Sequence, residues 1–299
     1  ISLDWNFIQK LDDLDDRLQH FWSPINHLHA VKQTAKLRLA YNECLAKISA
    51  YSSELSQNSR LYQAIKTLDN GDYRFNYAQK KCLHNELRDF HLGGIDLPKA
   101  KQKRYQVIQA QLAQLSNQFE ENLLDATANW SKCISDKSEL KGLPTYIIAS
   151  AEKAAKDKNM SGCLLSLDYP CYFPVLSYAD NRALRESVYK AYITRASEFG
   201  NMAFDNSPIM FKILNLRHEL SQLLGFKNYA QKSLASNKMA KTPEEVLSFL
   251  ENLLRCTQSK ADAEWQALYN FAQSRDQIDT LQPWDILYYR EKLQENMFG

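Results

Sequence analysis

Between Pro98 and Cys133 apolar side chains recur in steps of three and four: Ile108, Leu112, Leu115, Phe119, Leu123, Ala126 and Trp130. A strand would alternate in steps of two, so this stripe specifies one face of a long α-helix. Little punctuation interrupts it or its neighbours. The 299 residues hold only 8 Gly and 8 Pro, where average usage gives roughly 21 and 15. Sheet-rich folds of this length need turns rich in both types. The expected fold class is therefore mainly α, with long helices on short connections packing as antiparallel neighbours.

Other helices follow from breakers and caps. The pattern predicts helices from about Asp4 to Phe21, stopped at Ser23-Pro24, from Gln33 to Leu55, from Ser59 to Leu68 and from Asn76 to Phe90. Asn70-Gly71-Asp72 closes the third, and Gly93-Gly94 the fourth. Between Lys141 and Asp180 the pattern changes. Five of the Gly and Pro residues gather there, Gly142, Pro144, Gly162, Pro170 and Pro174, and Cys163 to Leu167 and Val175 to Tyr178 read as strands of a small hairpin or sheet near residues 162–178. Further on, Asp180 caps a helix through Ala196, and Asn206 or Ser207 opens another that stops at Gly225. Thr242-Pro243-Glu244-Glu245 forms a capping box for a long helix to about Arg275, and a last helix starts near Pro283.

Charge is close to balanced, 37 Lys and Arg against 35 Asp and Glu, which leaves no electrostatic footprint for nucleic acid. The clusters Asp12, Asp13, Asp15, Asp16 and Lys99, Lys101, Lys103, Arg104 read as solvated helix faces. Six scattered cysteines, with no C-x-x-C pair, read as reduced thiols. No apolar run is long enough for a bilayer, so the expectation is a cytoplasmic chain with no membrane partner. The chain ends on Met297-Phe298-Gly299 without a polar tail, as if cut from something longer.

Residues with catalytic chemistry are few. There is no phosphate-binding glycine loop and no G-x-S-x-G elbow. His27 and His29 fall in a predicted helix-to-helix connection, two apart, and read as surface or capping residues. His84 and His91 share a helix face, but seven residues of helical rise, about 10 Å, separate them too far to hold one ion alone. His218-Glu219 begins like the H-E-x-x-H zinc motif, in which two imidazoles four apart converge on the metal. Gln222 stands where the second histidine is needed. His218 and Glu219 are accordingly read as helix residues near an interior or interhelical contact. Neither catalytic, cofactor-binding nor metal-ligating residues are assigned, and no cofactor is expected in this chain.

A series of short words nevertheless lies in a characteristic order. Leu87-Arg88-Asp89-Phe90 leads into Gly94-Ile95-Asp96-Leu97-Pro98, followed by Asn117-Gln118-Phe119, Leu124-Asp125-Ala126-Thr127 and Trp130. Then come Asp180-Asn181-Arg182, Thr194-Arg195-Ala196-Ser197, Leu216-Arg217-His218-Glu219-Leu220, Leu223-Leu224-Gly225-Phe226, Asn228-Tyr229-Ala230 and Gln282-Pro283-Trp284-Asp285-Ile286. Their number and order resemble the N-terminal half of the thimet oligopeptidase family of zinc metallopeptidases.

The resemblance covers essentially all of residues 1–299 as one N-terminal helical part, with sub-boundaries near 93–98 and 162–180. It implies one wall of a deep channel that admits short peptides. Zinc, its H-E-x-x-H ligands and the catalytic glutamate belong to the family's C-terminal half, which would be this chain's main partner. An uncovered surface, centred on Trp284, Leu287 and Phe298, would then support self-association. The alternative is a stand-alone helical peptide-binding or scaffold protein without catalysis.

Overall fold

The computed structural model describes residues 3–32, 34–71, 73–236 and 238–299. Gln33 and Asp72, which the sequence reading placed at a helix start and in a turn, lie outside the described residues. Twelve α-helices and two short strands make up the described chain: α1 (Trp5–Val31), α2 (Ala35–Ser56), α3 (Ser59–Asn70), α4 (Tyr77–Leu92), α5 (Lys99–Asn129), β1 (Ser131–Ile134), α6 (Thr145–Asp157), β2 (Cys163–Ser166), α7 (Tyr169–Tyr178), α8 (Arg182–Ile193), α9 (Ser207–Leu223), α10 (Tyr229–Leu234), α11 (Pro243–Asp276) and α12 (Pro283–Phe298). The mainly α class is as expected. The chain divides into two compact units, one of residues 1–117 and 211–247, the other of 118–210 and 248–299.

In the first unit, α3 and α4 bury Tyr62, Ile65, Leu68, Leu83 and Phe90 around Ile8 of α1. Asn58 caps α3, and Asn76 and Gln79 cap α4 reciprocally. Gly94, at φ +83°, ends α4 with a bond from the Ile95 N–H to the Phe90 carbonyl, the geometry that glycine permits at a helix C-terminus. A second cluster joins Tyr105 and Ile108 of α5 to Leu220 of α9.

Helix α1 corrects the first boundary. It runs through Pro24 instead of stopping there, although proline removes one ladder bond and crowds the preceding turn. Contacts on both sides of the proline hold it: Trp22 before it and His29 after it both stack on Tyr41 of α2, at ring distances of 4.9 and 3.9 Å, and the Tyr41 hydroxyl donates to Asn26 Oδ1. Tertiary packing outweighs the local breaker.

In the second unit, β1 and β2 pair antiparallel with Ser131 opposite Ser166 and Ile134 opposite Cys163. The sheet therefore exists, but Val175 to Tyr178 is not its second strand. Those residues finish α7, which buries Tyr172, Pro174, Val175, Leu176 and Ser177 and so shows no polar face in the sequence. The partner strand begins at Ser131, where the long amphipathic helix stops at Asn129, short of the predicted Cys133. Around this ribbon pack α6, α7, α8 and α12, with Leu140, Leu165, Val175 and Val188 at the centre. Asn181, and not Asp180, caps α8, because its side chain accepts from the Leu184 N–H. Asp180 instead accepts a hydrogen bond from the Tyr288 hydroxyl.

Candidate functional site

The histidines do not converge. His27 and His29 sit inside α1, with His27 exposed and His29 buried against Tyr41, so neither lies in a connection as predicted. His84 pairs with Asp69 at 3.2 Å, and His91 pairs with Asp96. Glu219 makes the interhelical contact anticipated for it, taking two bonds of 2.6 Å from the Arg104 guanidinium on α5. His218 stays exposed, and the Gln222 amide donates to the Lys227 carbonyl. Among the described residues no group of three or more His, Cys, Asp or Glu could hold a metal ion.

What the first unit does build is a cleft of about 580 Å³ between α2, α4, α5, α9 and α10. One wall is the serine face of α2: Ser49, Ser52, Ser53 and Ser56 are spaced so that all four project from one side. The Tyr105 hydroxyl donates to the Leu92 carbonyl and accepts from Gln109 Nε2 at 2.7 Å. Burial raises the Tyr105 phenol above its ordinary value, the Gln109 bond offsetting part of that.

Arg217, Tyr229 and Lys232 also line the cleft. The Arg217 guanidinium lies 5.0 Å, and the Lys232 ammonium 5.8 Å, from the centre of the Tyr229 ring. Asn228 sets this up by capping α10, accepting from the Gln231 N–H at 2.9 Å. Burial holds the Lys232 ammonium below the ordinary lysine value. The sequence reading missed these residues. The signal for one wall was present in the spacing of the four serines, whereas the cationic wall comes from two helices that only folding brings beside it.

The six cysteines are free thiols, with Cys163 buried. No helix of the described residues is long and apolar enough to cross a membrane. Of the three residues expected to expose an apolar surface, only Phe298 does so; Trp284 and Leu287 pack on the core of the second unit. The larger uncovered surface is on α11, where residues 247–267 are all exposed and include Leu247, Phe249, Leu250, Leu253, Leu254 and Trp265.

Comparison with known proteins matches two family models to the chain: the N-terminal domain of neurolysin/thimet oligopeptidase over residues 2–102, and peptidase family M3 over residues 175–299. The chain is 48% identical over 298 residues to oligopeptidase A of Salmonella typhimurium and 47% identical to that of Escherichia coli, in each case covering 98% of this chain. A probable cytosolic oligopeptidase A of Arabidopsis thaliana is 36% identical over 97% of the chain. The chain spans 44% of the length of the two bacterial relatives and 42% of the plant one. With both models falling in order along a chain that aligns almost end to end, the chain belongs to the thimet oligopeptidase family, peptidase family M3.

Proposed function

We propose that this chain is the N-terminal, non-catalytic part of a zinc-dependent oligopeptidase of the cytoplasm, and that it supplies one wall of the channel in which short peptides are cut. The observation that carries this reading is the alignment of nearly the whole chain with oligopeptidase A while spanning 44% of that protein's length. The bare apolar face of α11 supports it, because a helix of an ordinary monomer does not leave so many large apolar side chains in water. Further protein laid against that face would bury them.

The residues present do not fit zinc. Among the described residues, each histidine paired with a carboxylate has a single one, His20 with Asp16, His84 with Asp69 and His91 with Asp96, and His218 lacks the second imidazole four residues on. No step of metal chemistry is therefore placed on this chain. Its contribution is steric and adhesive: restricting what enters, and holding it.

The test is an assay of the purified chain for bound zinc and for cleavage of a short fluorogenic peptide, together with sequencing of the gene beyond codon 299. The expected results are no turnover, no stoichiometric zinc and a reading frame continuing to H-E-x-x-H. Chelator-sensitive turnover would overturn the assignment of a non-catalytic role. A stop codon directly after Gly299 would favour a stand-alone helical binding or scaffold protein.

A further inference from the structure

The cleft of the first unit has an imbalance of charge. Its lining includes three ionisable groups of fixed sign, Asp89, Arg217 and Lys232. The Asp89 carboxylate is already engaged, receiving bonds of 2.9 and 3.0 Å from the Arg88 guanidinium. Among the described residues, neither Arg217 nor Lys232 has a carboxylate within ion-pairing distance, and the contact they share is the Tyr229 ring. Glu219, next in sequence to the Arg217–His218 pair, is taken by Arg104.

An ammonium withdrawn from water without a counter-ion is costly, and the surroundings of Lys232 already disfavour its charged form. The same cleft is lined by Ser49, Ser52 and Ser53, hydroxyl groups that can donate to an acceptor. Two cations, an aromatic face and a row of hydroxyls make the lining rich in donors, and its one carboxylate, Asp89, is already bonded to Arg88. A volume of about 580 Å³ lies within the ordinary range for small-molecule sites, roughly 300–1,000 Å³.

We propose that this cleft binds a small polyanion carrying carboxylate or phosphate groups, held by Arg217 and Lys232 against Tyr229 and the serine face of α2. The site lies wholly within the first unit and does not depend on the peptidase reading, so either can fail without the other.

Isothermal titration of the purified chain, in chloride buffer at pH 7, with citrate and with inorganic phosphate tests it and separates the two sources. Saturable binding of at least one probe with a Kd below about 1 mM is expected, weakened at least tenfold in both Lys232→Met and Arg217→Gln. Tighter citrate binding assigns the site to carboxylates, and tighter phosphate binding to phosphates. Ser49→Asp, which adds a carboxylate to the lining of the cleft, is expected to abolish binding while circular dichroism stays unchanged, and it serves if Lys232→Met does not fold. No saturable binding of either probe, or binding that survives these variants, would overturn the proposal.

Discussion

Arg185 and Asp285, one hundred residues apart in the chain, meet in a hydrogen bond of 3.0 Å with both side chains almost wholly out of solvent. Arg185 also donates to the carbonyls of Ala179, Asp180 and Trp284, and its guanidinium lies 4.0 Å from the centre of the Tyr288 ring. Asp285 in turn accepts from Arg182 and from the Gln282 N–H. Each guanidinium nitrogen of Arg185 and each carboxylate oxygen of Asp285 has a partner, so removing Arg185 takes one of two cations from a buried carboxylate and leaves the carbonyls of Ala179, Asp180 and Trp284 without their donor. Arg185→Met should destabilise the second unit by about 3–5 kcal/mol. Urea unfolding monitored by tryptophan fluorescence would read this, and an unchanged midpoint would refute it.

The same site makes an acid-side prediction. Burial pushes the Asp285 carboxyl up, but the bonds from Arg182, the Gln282 N–H and Arg185 prevail and hold it below the ordinary aspartate value. A carboxyl lowered in the folded state contributes stability that is present above the unfolded pKa, about 3.9, and disappears as pH falls through the folded value. Asp285→Asn should be weaker than the parent at pH 7 and lose less between pH 4 and pH 2. Unfolding free energies measured across that range check the slope; parallel curves would contradict the sign.

Two glycines with similar backbone angles should respond differently to alanine. Gly142 has φ +90°, and an added Cβ would stand 2.2 Å from the Tyr178 carbonyl oxygen and 2.8 Å from Asp180 Oδ1. Gly225 has φ +82° with nothing within 4 Å of that position. Gly225→Ala therefore costs only the left-handed conformation, about 1–2 kcal/mol, and Gly142→Ala costs more because the Lys141 to Asp180 junction must also open. Thermal melts of the pair, giving equal losses, would remove the steric account.

Glu86 offers a stabilising change. Burial, then the negative charges of Asp12, Asp89 and Asp15, raise its carboxyl above the ordinary glutamate value. A carboxyl raised in the folded state favours folding at low pH and loses that advantage as pH climbs through the folded value. Glu86→Gln removes the repulsion and should raise the melting temperature at pH 7 while having little effect at pH 4. Like-charge neighbours on helices suggest a gain of about 0.5 kcal/mol. A lower melting temperature at pH 7 would oppose it.

What the sequence made legible was whatever local chemistry decides. Thr242 accepts from the Glu245 N–H as a capping residue should, and Gly225 ends α9 with the Phe226 N–H on the Ser221 carbonyl. Where distant contacts decide, local signals mislead. Pro24 reads as a stop, but Tyr41 holds the helix beyond it. Val175 to Tyr178 reads as a strand because a helix surrounded by core has no polar side to betray its period. The cationic wall of the cleft was hidden for the same reason: Arg217 and Lys232 belong to different helices, and only the Tyr229 ring shows them to be neighbours.

Helix α11 has a kinetic consequence. Residues 248–267 touch so little of their own chain that all are exposed, and most of a helix's stability in a protein comes from packing one face against the rest of the chain. Its amide protons should exchange with solvent far faster than those of α7, which the core encloses. The lifetime of its backbone hydrogen bonds is therefore a gauge of contact: any molecule that comes to rest along α11 will announce itself by slowing deuterium uptake there before anything else in the chain responds.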